Sequence, residues 1–145
     1  MLKYQGRHGV AATLAELLAP AMAPLVGEAD LLIPVPLHGT RQRERGYNQS
    51  AILAAELRFL LPLELQAAAL RRTRATAQQT QLTGAQRAAN VRGAFTAEAA
   101  LVQGRRVWVL DDVYTTGATM GACVRALRAA GAREVRGAVV ALAVK

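Results

Sequence analysis

Residues 107–127 read VWVLDDVYTTGATMGACVRAL, and this stretch decides the fold. Val107 to Leu110 form an apolar run of strand length. Two acids, Asp111 and Asp112, follow at once and open a tight loop, DDVYTTGA. Thr119 to Ala130 then reads as a helix, with Gly131 as its C-terminal stop. In open α/β sheets, ligands bind outside the carboxyl ends of the strands. The acids therefore stand where chemistry is done. A helix start offers backbone N–H groups and a positive dipole end. Gly117 permits close backbone approach, and Thr115, Thr116 and Thr119 add hydroxyl donors.

One short loop thus joins a phosphate cradle to two carboxylates. Those carboxylates can accept bonds from sugar hydroxyls or help to hold Mg²⁺ through water. A phosphorylated ribose fits this layout. A P-loop also follows a strand, but it needs G-x-x-x-x-G-K-[ST] with its lysine. Here the only lysines are Lys3 and Lys145. The G-x-G-x-x-G of a dinucleotide fold is absent as well. The plainer alternative makes Asp111 and Asp112 helix-capping acids and the threonines turn residues. The intact order of strand, acids, phosphate loop and helix argues against it.

Outward from this segment, strands and helices alternate. Residues 9–19, GVAATLAELLA, predict an amphipathic helix that stops before Pro20. After the connection AMAPLVGEAD, Leu31, Leu32, Ile33 and Val35 predict a short buried strand, punctuated by Pro34 and Pro36. A basic turn, HGTRQRERGYNQS, follows over 38–50, and Ser50 is placed to cap the helix AILAAELRFLL, which ends at Pro62. Residues 63–70 read as a short strand or a turn of helix. Residues 71–97 read as a long exposed segment, with helix over 83–90 as one option. Val135–Val144 gives a last strand. The expectation is one α/β domain over 1–145, with a mostly parallel central sheet flanked by helices.

Composition narrows the partners. The chain has 145 residues and one cysteine, Cys123, so an internal disulfide and a cysteine-based zinc site are ruled out. No apolar run approaches the roughly 20 residues of a membrane helix, and MLKYQGRHGV lacks the apolar core of a signal peptide. A cytoplasmic protein is the default expectation. Eighteen basic residues face ten acidic ones, for a formal charge of +8. Nearly all the cations are arginine, whose planar fork suits phosphate. An anionic partner follows, either a polyphosphate metabolite or nucleic acid. Codon bias alone could raise the Arg/Lys ratio, but it does not explain where the charge clusters.

Arg41, Arg43 and Arg45 follow the end of the first strand, opposed only by Glu44. Arginines there suit an anionic ligand, with a solvated basic face as the plainer reading. Between Glu64 and Glu98 there is no acid, yet Arg71, Arg72, Arg74, Arg87 and Arg92 lie there. That points to an anionic ligand or to a solvated loop. Tyr47 and Asn48 suit a turn and helix cap as well as a ligand. His8 and His38 read as structural, Cys123 as a small buried hydrophobe, and Trp108 as core.

The segment VWVLDDVYTTGAT resembles the 5-phosphoribosyl-1-pyrophosphate (PRPP) signature of type I phosphoribosyltransferases. LKYQGRHGVAATLAELLA near the start, IPVPLHGTRQRERGYNQSAILA over 33–54 and LRRTRATAQQTQLTGAQRAANVRGAF over 70–95 resemble the ComF family. These competence-linked proteins are also described as amidophosphoribosyltransferase-like. The resemblance implies a Mg²⁺- and PRPP-dependent transferase in which a nitrogen nucleophile displaces pyrophosphate. It gives Asp111 and Asp112 the ribose hydroxyls and indirect contact with the metal. It gives Thr115, Thr116, Gly117, Ala118 and Thr119 the 5′-phosphate. Pro36, Leu37, Arg41, Arg43 and Arg45 fall in its pyrophosphate loop, and Arg72, Arg74, Arg87 and Arg92 in a flexible closing loop.

Two features depart from that family. The cysteine-rich zinc-ribbon segment of many members is absent, and little chain is left for a base-recognising hood. PRPP binding is therefore a stronger expectation than any particular transfer. The rival expectation is a non-catalytic module of the same fold that binds single-stranded DNA or a DNA-uptake partner. The low aromatic content, 4%, counts against a base-stacking binder. A homodimer would be unsurprising by family analogy.

Overall fold

The computed structural model describes residues 2–27, 30–37, 48–73, 93–114 and 117–142. Among the described residues six strands occur in chain order: β1 (Leu31–Pro34), β2 (Glu64–Leu65), β3 (Leu70–Arg72), β4 (Phe95–Ala97), β5 (Arg106–Tyr114) and β6 (Glu134–Leu142). Four α-helices accompany them among those residues: α1 (Leu2–Met22), α2 (Gln49–Leu57), α3 (Ala99–Val102) and α4 (Ala118–Ala129). The main sheet has the order β2-β1-β5-β6, and every pair in it is parallel. β3 and β4 form a separate antiparallel ribbon.

The apolar runs of β1 and β5 exist because both faces of the sheet are covered, as parallel sheets require. Alternate residues serve opposite faces. Leu31, Ile33 and Val35, with Val107 and Val109, pack against Ala122, Cys123 and Leu127 of α4 and against Leu70 and Phe95 of the ribbon. Leu32, Trp108 and Leu110 pack against Ala15, Ala19 and Met22 of α1 and against Leu53, Ala54 and Leu57 of α2. Each large apolar side chain buried this way contributes about 1.5–3 kcal/mol.

Proline inside a central strand is unusual, and Pro34 shows why it is tolerated here. The Glu64 and Gln66 amides donate to Asp30 O and Leu32 O, both at 3.0 Å. Even-numbered residues of β1 therefore turn their polar groups toward β2, and odd-numbered ones toward β5. β2 ends at Leu65, so a residue at 34 has no ladder partner left on that side. The missing N–H of Pro34 costs the sheet no bond.

At the other end of β1, Asp30 is 1% exposed. Its Oδ2 accepts from the Gly27 amide at 2.9 Å and from the Trp108 indole Nε1 at 3.1 Å. Arg106 Nε lies 3.3 Å from Asp30 Oδ1 and 3.4 Å from Glu134 Oε2. A Cβ at Gly27 would come within 2.8 Å of Arg106 Nη1 and 3.2 Å of Asp30 Oδ1, so a larger residue there would push the Arg106 guanidinium aside and crowd this carboxylate. One buried acid thus joins the turn before β1 to the first residues of β5.

Two expectations about elements change, and one that left two options open is met by both. α1 runs through Pro20 to Met22 instead of stopping before it. Pro20 sits in the last turn, where its absent N–H removes a single bond, and the buried Met22 holds that turn down. Residues 71–97 are not one long exposed segment, because Leu70–Arg72 and Phe95–Ala97 pair as the ribbon. Residues 63–70 hold both options in succession, β2 and then a 3₁₀ turn at Ala67–Ala69.

Asp30→Ala removes two donor contacts and an ion pair from the interior. Arg106 is about one-third exposed and retains Glu134, so the loss falls below that of a fully buried pair. A decrease of about 2–3 kcal/mol is expected. It should appear as a lower urea midpoint with an unchanged slope.

Candidate functional site

The last register pair between β1 and β5 is Pro34 with Leu110, and the Val35 amide donates to Leu110 O at 2.9 Å. The chain then leaves the sheet through Pro36 and Leu37, both half-buried. β5 continues beside β6, with Asp111 opposite Val139, Val113 opposite Ala141 and Tyr114 opposite Leu142. Asp111 and Asp112 are therefore the first residues of β5 beyond the end of β1. They stand half-buried on the step that β1 leaves. The loop predicted to open at Asp111 does not open there: β5 continues to Tyr114, because β6 supplies ladder partners that far.

α2 begins beside this step. Asn48 is its N-cap: Oδ1 accepts from the Ser50 and Ala51 amides at 3.0 and 3.3 Å. Asn48 Nδ2 also donates to Val35 O at 3.2 Å, which ties the start of α2 to the end of β1. The cap is therefore Asn48, as one reading of that residue had it, and not Ser50. Ser50, 4% exposed, donates its hydroxyl to Asp111 Oδ1 at 3.3 Å. The Asp112 amide donates to the same oxygen at 2.9 Å. The sequence reading missed Ser50 as a partner of the acid pair. The one available signal was a serine within the first turn of an otherwise apolar, alanine-rich helix.

Burial is the main cause of a shift that pushes the Asp111 carboxyl up to about 7, with the adjacent Asp112 carboxyl second. The Asp112 amide and the Ser50 hydroxyl pull in the opposite direction. On the same side of the sheet, Cys123 is fully buried in α4. Its thiol is pushed up to about 12, first by burial and then by the charge of Asp111.

Gly117 precedes α4 with φ +82° and ψ 1°, a left-handed conformation that strains any residue carrying a Cβ. The Gly121 amide donates to Gly117 O at 2.8 Å and closes the first turn. Ala118 and Thr119 lie half-buried in that turn. Pro36, Leu37, Asp111, Asp112, Gly117, Ala118 and Thr119 are thus gathered at the carboxyl ends of β1 and β5. Thr115, Thr116, Arg41, Arg43, Arg45, Arg74, Arg87 and Arg92 lie outside the described residues, as do His38 and Tyr47. Arg72, predicted in a flexible loop, belongs to β3 instead, with its guanidinium 4.9 Å from the centroid of the Phe95 ring. Thr73 and Ala94 are joined by a backbone bond of 2.6 Å and a hydroxyl bond of 3.1 Å.

The raised Asp111 carboxyl has a stability consequence. It keeps its proton to about pH 7 in the folded chain but releases it near 3.8 when unfolded. The folded state therefore binds more protons across that window, and stability falls as pH rises through it. Asp111→Asn should remove this slope and gain about 1–2 kcal/mol at pH 8. Urea midpoints of both proteins at pH 4.5 and pH 8 test this, and an identical pH dependence in the two would refute it.

The family model of the phosphoribosyl transferase domain matches residues 43–144. The chain is 36% identical over 140 residues to DNA utilization protein YhgH of Escherichia coli (strain K12), covering 93% of this chain and 61% of that protein. It is 33% identical over 141 residues to competence protein F of Haemophilus influenzae, with coverage of 92% and 62%. It thus spans about three-fifths of the length of these relatives. Among solved structures it is similar to glutamine phosphoribosylpyrophosphate (PRPP) amidotransferase from B. subtilis complexed with ADP and GMP. Identity there is 28% and the TM-score 0.58, over 92% of this chain and 26% of that one. The ComF resemblance and the type I phosphoribosyltransferase fold are both borne out. Since the match takes in the acid pair together with all of β5, α4 and β6, this chain belongs to the phosphoribosyl transferase domain family.

Proposed function

We propose that this chain binds PRPP together with Mg²⁺ and lets a nitrogen nucleophile displace its pyrophosphate. The observation that best supports this is the placement of Asp111 and Asp112 on the step beyond β1, followed by Gly117 and α4, in a member of this family. Two adjacent carboxylates can accept bonds from the two vicinal hydroxyls of a ribose. The segment of Thr115, Thr116, Gly117, Ala118 and Thr119 then receives the 5′-phosphate at the start of α4.

The pyrophosphate falls to the segment after β1, with Pro36, Leu37, Arg41, Arg43 and Arg45. Its arginines stabilise the charge that grows as the C1–oxygen bond breaks. Arg74, Arg87 and Arg92, in the chain between Thr73 and Ala94, close over the bound substrate and exclude water. The electron pair of the broken bond leaves on pyrophosphate, and the nitrogen forms the new bond to C1. No general base is assigned, so the protein's work is positioning and charge stabilisation.

Mg²⁺, when bound, neutralises phosphate charge. One or two carboxylates would be enough to hold it. The pair Asp111 and Asp112 suits that role. Among the described residues no cluster of three or more His, Cys, Asp or Glu is placed to hold a metal, so the pair would share the ion with the substrate. A cytoplasmic location goes with a phosphorylated metabolite of this kind. No helix among the described residues is long and apolar enough to cross a membrane.

The formal charge of +8 and the names of the two relatives favour a second reading. In it the fold is retained without turnover, and the basic surface contacts single-stranded DNA or a DNA-uptake partner.

Calorimetric titration of PRPP with Mg²⁺ separates the two readings. Wild type should bind saturably, and Asp111→Ala/Asp112→Ala should lose about 100-fold in affinity while remaining folded. Absence of PRPP binding by folded wild type, together with DNA binding that collapses steeply as salt rises, would leave the second reading standing alone.

A further inference from the structure

Among the described residues, two polar side chains are buried: Asp30 and Ser50. The role of Asp30 is structural, at the amino end of the sheet. Ser50 lies at the opposite end, in a helix that continues with Ala51, Ile52, Leu53 and Ala54. A buried hydroxyl needs a partner, and the one Ser50 has is Asp111 Oδ1 at 3.3 Å. The helix needs no cap from Ser50, because Asn48 supplies it. Nor does the core need a hydroxyl there, since alanine is the better helix former.

We propose that Ser50 is a positioning residue for the acid pair, holding the Asp111 carboxylate in the rotamer that presents its second oxygen to a ribose hydroxyl. Oδ1 receives both the Ser50 hydroxyl and the Asp112 amide. With that oxygen engaged from two directions, rotation about the side chain's last bond is restrained, which would hold Oδ2, beside the Asp112 carboxyl, toward the sugar. The restraint is itself anchored. Asn48 fixes the backbone of Ser50 through its amide at 3.0 Å and is tied to Val35 O at 3.2 Å. The end of β1, the start of α2 and the acid of β5 are thereby linked through one polar chain, which sets Ser50 where its hydroxyl reaches Asp111.

This proposal rests on the PRPP reading, and the test separates the two. PRPP with Mg²⁺, and inorganic pyrophosphate with Mg²⁺ as a probe that lacks the ribose, are titrated into wild type, Ser50→Ala and Ser50→Thr. Urea midpoints are recorded for all three. A positioning role predicts that Ser50→Ala weakens PRPP about tenfold, in the range of one hydrogen bond to a charged group. It predicts that Ser50→Thr, which keeps the hydroxyl, stays within about threefold of wild type, and that pyrophosphate affinity is unchanged in both. Unchanged PRPP affinity in Ser50→Ala would overturn the proposal and leave the PRPP reading intact. Equal weakening of PRPP and pyrophosphate, with a lower urea midpoint, would make Ser50 merely structural. Failure of wild type itself to bind PRPP removes the parent reading, and the proposal with it.

Discussion

The Asp30 carboxylate sets the register on which the rest of this molecule depends. It is buried at the amino end of the sheet, where a charge is tolerated only if it is paired and hydrogen-bonded. The Gly27 amide, the Trp108 indole and the Arg106 guanidinium meet that demand together. Two of these groups belong to β5, so the requirement of one acid fixes how β5 lies against β1. A slip of one residue would turn Trp108 away from the acid and exchange the two faces of the strand. Register chosen at one end then dictates what emerges at the other.

What emerges is a step. β1 ends at Pro34, where a missing donor costs nothing, and leaves through Pro36. β5 runs on beside β6 and carries Asp111 and Asp112 past its shorter neighbour. Two carboxylates held by a strand are better oriented than two on a loop, because the ladder with β6 restrains the backbone that bears them. The same burial that orients Asp111 makes its charged form costly. A chain of side chains running from Asn48 through Ser50 partly offsets that cost by donating to Oδ1. Orientation and charge at this position therefore come from the same contacts.

Much of this was legible in the sequence. The apolar runs around Leu31 and Val107, the acids after them and the glycine before α4 marked out the sheet and the end at which open α/β sheets in general take ligands. Asp111 read as loop because acids are poor strand formers, and only a long-range ladder to β6 makes it strand. The ribbon of Leu70–Arg72 and Phe95–Ala97 escaped because three-residue strands carry no usable alternation, and their pairing partners lie far apart in the chain. Asn48 and Ser50 are both good cap residues two positions apart. What separates them is the bond from Asn48 to Val35 O and that from Ser50 to Asp111, and neither contact has a local signature. Pro20 marked a helix end by local rules, but burial of Met22 carried the helix past it.

The chain's single cysteine adds a consequence of a different kind. Cys123 is fully buried in α4 and its thiol is pushed up to about 12, so in the closed fold it is neither accessible nor ionised, as a thiol must be to react. It becomes reactive only when α4 lifts from the sheet. With no second thiol to compete, the rate of alkylation of the native protein reads directly how often that layer opens. The protein thus carries its own gauge for the opening of the α4 layer, the face that Asp111 shares with Cys123.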